Sequence, residues 1–174
     1  MGLENNCISI PFHWSSSVWA VTIVTLVFIA GGAFYVLSIK WPTAMLWLKY
    51  LMMIVFLITV IIGMIYAPIR LEATDKKITL KMVFSSREIP LSEVTKVIRI
   101  SKSDIDSSIR TFGSGGLFGY LGRFKNDKLG SYNMYATELN NLVLVCTTNK
   151  KYVFSCSRSN EFIEYVNLKI KNNN

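Results

Sequence analysis

Residues 18–39 read VWAVTIVTLVFIAGGAFYVLSI, and no charged residue occurs anywhere in 15–39. A helix of that length, rising about 1.5 Å per residue, spans roughly 33 Å, the thickness of a bilayer's hydrocarbon core. A second uncharged run covers 50–69 and carries Pro68 near its end, where proline closes a helix without breaking it. Neither run offers a polar face at helical spacing, which a buried helix pair in a soluble bundle needs to meet water. The pattern predicts a transmembrane hairpin over 18–69 with spans 18–39 and 46–67. A tail, 1–17, precedes it and a domain, 70–174, follows.

Composition points the same way. The chain has 174 residues, 51% hydrophobic and 17% charged, where soluble domains carry about 25% charged residues. Among the charged residues only Glu4, Lys40 and Lys49 precede Arg70. All four tryptophans, Trp14, Trp19, Trp41 and Trp47, lie close to the ends of the two runs, where an amphipathic ring sits at headgroup depth. The linker 40–49 is short enough that the helices must be antiparallel, so both chain ends share one side. Arg70, Lys76, Lys77, Lys81 and Arg87 outnumber the two lysines of the linker, and the positive-inside rule makes the side of the chain ends cytoplasmic. The tail has no basic n-region of a secretory signal, and residues 2–6 lack the Ser or Thr of an acylation signal. Thr59, Gly63 and Ala67 recur every four residues, a small-residue stripe that admits a close neighbour, either the first helix or a second copy.

After Ile69 the apolar period becomes two. Ile78, Leu80, Met82 and Phe84 alternate with Thr79, Lys81, Val83 and Ser85, as a strand with one buried face requires. Residues 96–102, 131–137, 142–147 and 151–156 are short and rich in β-branched or aromatic residues, with turn-like segments between several of them. Six or seven antiparallel strands are expected. Across a hairpin centred near Asn149, Cys146 would face Tyr152 and Cys156 would face Leu142, so no disulfide joins the two cysteines. Beyond the cluster 157–160, Phe162, Ile163, Val166 and Ile170 fall on one helical face, opposite Glu164 and Lys171. That helix closes the domain.

Residues 110–123, RTFGSGGLFGYLGR, are followed by Tyr135, Ala136 and Thr137, a valine-rich strand, a polar turn, another strand and a terminal helix. Together with the link IPLSEV at 89–94, this stretch resembles the bacterial pleckstrin-homology (PH)-like domain family, many of whose members carry transmembrane helices ahead of the domain. The resemblance implies a strongly bent, seven-stranded PH-like sheet or barrel capped by a helix. It also implies a binding or assembly role instead of catalysis, at the inner membrane of a bacterial cell.

The glycine stretch 113–122 fails both nucleotide fingerprints. Phe118 stands where the dinucleotide motif needs glycine, and Gly122 is followed by Arg123 and Phe124 instead of Lys-Ser. Two readings stand for it. Its glycines permit bends where the sheet curls, or Leu117, Phe118, Tyr120 and Leu121 form an apolar tip flanked by Arg110, Arg123 and Lys125 for the membrane interface or a partner. The chain carries +8, of which Glu4, Lys40 and Lys49 contribute +1, so residues 70–174 carry +7. Anionic headgroups are therefore a supporting contact, with Lys76 and Lys77 the basic pair at the first turn. The arginine that the eukaryotic phosphoinositide pattern places after such lysines is Val83.

No basic helix, zinc motif or basic-aromatic stripe points to nucleic acid. His13 is the only histidine and precedes the first run, and Cys7, Cys146 and Cys156 make no C-x-x-C. The expectation is a chain with no metal, no cofactor and no catalytic residue. It would act as a non-enzymatic module that binds a protein partner or a second copy beside the bilayer. The alternatives are a specific lipid or small-ligand binder, with a pocket between the strand ends and the 113–122 loop, and an enzyme of unknown type using acids such as Asp104, Asp106 and Glu138.

Overall fold

A computed structural model describes residues 7–173; the acylation-like stretch 2–6 lies outside them. Strand β1 (Cys7–Pro11) leads into α1 (Ser16–Ser38), and a single turn at Thr43–Met45 leads into α2 (Leu46–Ile65). Ser15 caps α1, its hydroxyl accepting from the Val18 N–H. At the other end, the Trp41 indole donates to the Val36 carbonyl at 3.0 Å and the Lys49 ammonium to that of Leu37 at 3.1 Å. These bonds satisfy carbonyls that a helix end leaves without partners. Gly32 lets the Phe56 ring approach α1 closely. Both helices are long and apolar enough to cross a membrane, and almost none of either is covered by the rest of the protein. A core helix of a soluble protein would be covered.

Two sheets follow. The first has the order β1-β2-β3-β4, with β2 (Pro68–Thr74), β3 (Lys77–Met82) and β4 (Ser86–Pro90). The second comprises β5 (Val94–Ile100), β6 (Ile109–Gly116), β7 (Gly119–Asn126), β8 (Gly130–Ala136), β9 (Leu142–Thr147) and β10 (Lys151–Ser155), in the order β5-β9-β10-β8-β7-β6. Helix α3 (Ser159–Asn173) packs on β5, burying Phe162 and Val166 completely, with Ile163 and Ile170 beside them.

Four expectations are corrected. There are more than seven strands, because the tail residues CISIP and the polar SREIP segment both pair, and because the glycine stretch is a strand pair instead of a loop. The sheet is not wholly antiparallel: β10 inserts between β9 and β8 and runs parallel to β8. Cys146 faces Lys151, not Tyr152, and Leu142 faces Ser155, not Cys156. A tight turn closed by the Thr147 N–H and the Lys150 carbonyl, 2.8 Å apart, shifts that register by one residue. Finally, β3 ends at Met82, where the Met82 N–H reaches the Ser85 carbonyl at 2.9 Å, so Phe84 leaves the core and is 73% exposed.

The all-apolar run LVLV at the start of β9 is explained by cores on both faces of the second sheet. Val143, Val145 and Phe154 belong to a core shared with the first sheet and α3, while Leu142, Leu144 and Val153 join Phe124, Tyr132 and Met134 in another.

Candidate functional site

The most built feature of the molecule lies where the helices meet the sheets. β6 and β7 are joined by the two residues Leu117 and Phe118, with Gly116 facing Gly119. Phe118 holds φ +57, the left-handed region that a bulky residue rarely enters, and the surrounding contacts show what keeps it there. Its N–H donates to the Thr22 hydroxyl of α1 at 3.0 Å, both groups being buried. Its ring lies against Gly63 of α2 so closely that a Cβ at Gly63 would overlap it. Trp14 meets the ring edge-on at 6.2 Å, and Trp19 lies 5.0 Å from Trp14. Burying a Phe side chain is worth about 1.5–3 kcal/mol, enough to offset a strained φ of ~1–3 kcal/mol once the hydrogen bond is added.

The small-residue stripe therefore receives a hairpin tip. Gly63 takes Phe118, Ala67 is buried at the entrance to β2, and Thr59 stays exposed, bonded to its own helix at the Val55 carbonyl. Further up the hairpin, Gly113 and Gly122 face each other at φ +109 and +124, each backbone pressed against the other strand's carbonyl. A side chain at either position would collide with backbone, so the glycines here serve close approach.

Polar bonds fasten the start of α1 to the second sheet. The Ser15 N–H donates to the Thr137 carbonyl at 3.0 Å, and the Thr137 hydroxyl to the His13 carbonyl at 2.7 Å. The Thr137 N–H in turn donates to the buried Ser155 hydroxyl at 3.0 Å. The Phe12 N–H reaches Ile69 at 2.9 Å, tying the entry of α1 to the exit of α2. Beside Ser155, burial pushes the Cys156 thiol up to about 11, and all three cysteines are free.

The residues singled out in the sequence are distributed over several places. Leu117 and Phe118 form the docked tip, and the Arg110 guanidinium lies over Gly115, two residues before Leu117. Arg123 and Lys125 are exposed on β7, opposite Phe112 and Ile109 of β6, which are 79% and 73% exposed. Tyr120 is half-buried and lines a hollow of about 180 Å³ with Ile105, Phe124, Tyr132, Met134 and Leu139. Lys76 and Lys77 sit apart from all of these, at the turn ending β2, where Lys77 pairs with Glu88. Thr22 and Ser155 carry the junction without having been singled out, together with Thr137, which was named only among the residues of the family resemblance. A threonine inside an apolar span is a signal that Thr22 shares with Thr25, so the sequence alone does not separate the two.

Comparison with known proteins bears on residues 69–170, which match the family model described as a bacterial PH domain. No curated protein and no solved structure matches the chain. Domains of the PH type commonly bind lipids or proteins and are generally non-catalytic. The match runs from the beginning of β2 into α3 and covers more than half of the sequence, so this chain, with its two apolar helices ahead of the matched region, belongs to the bacterial PH domain family.

Proposed function

We propose that the chain is an integral membrane protein whose PH-like domain, residues 70–174, works as a non-catalytic binding or assembly module at the cytoplasmic face of a bacterial inner membrane. Residues 18–69 are its transmembrane hairpin, and both termini lie on the side of the domain. The partner is a protein or a second copy of the chain, with anionic headgroups in support. The observation that carries this reading is the outer edge of β6. It ends the six-stranded sheet and pairs with no strand among the described residues. Ile109 and Phe112 stand exposed on it beside Arg110, Arg123 and Lys125. An open edge with large apolar side chains and basic neighbours is a ready template for another chain.

A small-ligand pocket is less well supported. The hollow beside Tyr120 is below the ~300–1,000 Å³ of usual ligand sites, and Phe118 on Gly63 occupies the end of the 113–122 hairpin.

The test is the mass of the full chain in detergent, compared with Phe112→Glu and combined with affinity capture from native membranes. A fixed oligomer, or a stoichiometric partner, that is lost in the variant supports the reading. A monomer that captures nothing overturns it. Protease added to spheroplasts should leave the C-terminal half intact and digest it only after lysis.

A further inference from the structure

We propose that the β3–β4 turn, Val83–Phe84, is a membrane wedge that enters the boundary between headgroups and acyl chains of the bilayer crossed by α1 and α2. The proposal rests on the reading that those helices span a membrane. Position is the first argument. The Val83 N–H donates to the Ala67 carbonyl at 3.3 Å, and Met82 pairs with Pro68, so the turn lies at the point where α2 leaves the bilayer. The apolar surface there is large: Phe84 is 73% exposed, and Tyr66, Ile69 and Val83 are exposed as well. A strand with this alternation would bury Phe84; here β3 stops two residues early and turns the ring outward.

Charge along the ladder supplies the second argument. On the rung next to the turn, Arg70 faces Lys81 and Lys81 faces Ser86. On the following rung Arg87, opposite Leu80, lies over the Tyr135 ring at 5.7 Å. Acidic groups come only after these: Glu72 and Glu88 flank Thr79 one rung further out, and Glu72 reaches back to Lys81 at 3.0 Å and Arg70 at 3.8 Å. Over these rungs, from the helix exit outward, the order is apolar, basic, acidic, and Lys76 and Lys77 return basic charge only at the far turn. A phospholipid leaflet presents the complementary order of acyl chain, phosphate and water. A soluble protein partner would have no reason to match that gradient to the helix exit.

The experiment uses the full chain with Cys7→Ser and Cys146→Ser. Cys156 stays, since it is buried and its thiol is held far above neutral pH. Ser85→Cys, Lys76→Cys and Phe28→Cys are spin-labelled singly, and the protein is reconstituted in vesicles of phosphatidylcholine with phosphatidylglycerol. Collision rates with oxygen and with a water-soluble nickel chelate are then read for each label. The expected result is a nickel rate at position 85 on the order of fivefold below that at position 76, as for a group held a few ångströms inside the interface, and a return toward the rate at 76 when Phe84→Asp is added. Equal nickel rates at 85 and 76, or shielding at 85 that Phe84→Asp leaves unchanged, overturn the wedge. The label at Phe28, on the exposed face of α1, separates the two readings. If it collides with oxygen and not with nickel, the helices span and only the wedge has failed; if it sees nickel freely, the anchor has failed with it.

Discussion

Two short turns carry an aliphatic residue followed by a phenylalanine, and both lie at the base of the helices, yet they meet different surroundings. Leu117–Phe118 is covered by protein: Thr22 receives its N–H, Gly63 its ring, and Trp14 the ring's edge. Val83 donates one backbone bond to the Ala67 carbonyl, and the Phe84 ring is 73% exposed among the described residues. The difference teaches that hydrophobicity alone does not assign a turn to a core. A cradle needs a missing side chain on the facing helix and an acceptor for the N–H, and α2 and α1 supply these to one turn and not to the other.

The comparison breaks most clearly at the two phenylalanines. Phe118→Ala should destabilise the folded domain by about 3–5 kcal/mol, the usual loss for a buried ring, whereas Phe84→Ala should stay within about 0.5 kcal/mol. Urea unfolding of the full chain in detergent, where no leaflet favours Phe84, measures both, and equal losses would erase the distinction. Gly63→Val places a side chain where the Phe118 ring lies and should cost about 1–3 kcal/mol by overpacking. If it costs nothing, the ring does not rest on α2. Thr22→Val keeps the shape but strands the buried N–H of Phe118, a loss of about 1–2 kcal/mol that Thr22→Ser should largely restore. Identical behaviour of the two variants would show that the hydroxyl is not used.

The smallest effect belongs to a contact outside both turns. A hydrogen bond from Lys169, 2.6 Å away, holds the exposed Asp75 carboxyl below its usual range. Its folded value is depressed, so its contribution is present above the unfolded value near ~3.9. It is lost as pH falls through the folded value. Asp75→Asn should therefore lower stability slightly at neutral pH, where the contribution is present, and match the parent in strong acid, where the parent has lost it, so that the acid limb flattens below about pH 4 while the slope near neutrality stays the same. A changed slope near neutrality would count against the assignment.

Much of this was legible in residue patterns. The two apolar helices, the apolar face of α3 and strands β3, β5, β8, β9 and β10 follow from periodicity, because long uniform patterns average over local accidents. The short β1 and β4 did not, since five residues with polar members carry little periodic signal. The pairing of β10 with β8 depends on which strand fills a gap, a tertiary choice that no local pattern encodes. At the junction, the distinctive glycines and Gly63 were visible one by one. That Phe118 joins them was not, because a hairpin tip and a helix 55 positions earlier show no shared spacing.

β1 has a consequence for biosynthesis. Cys7–Pro11 leaves the ribosome before α1, whereas its pairing partner in β2 emerges only after α2. At about 5–20 residues per second the leading strand waits on the order of several seconds with its backbone groups unmatched, while the two apolar helices are synthesised. On the proposal that α1 and α2 span a membrane, docking of that early strand closes the chain into a loop through the bilayer, and a nascent hairpin inserted upside down would carry both strands across together.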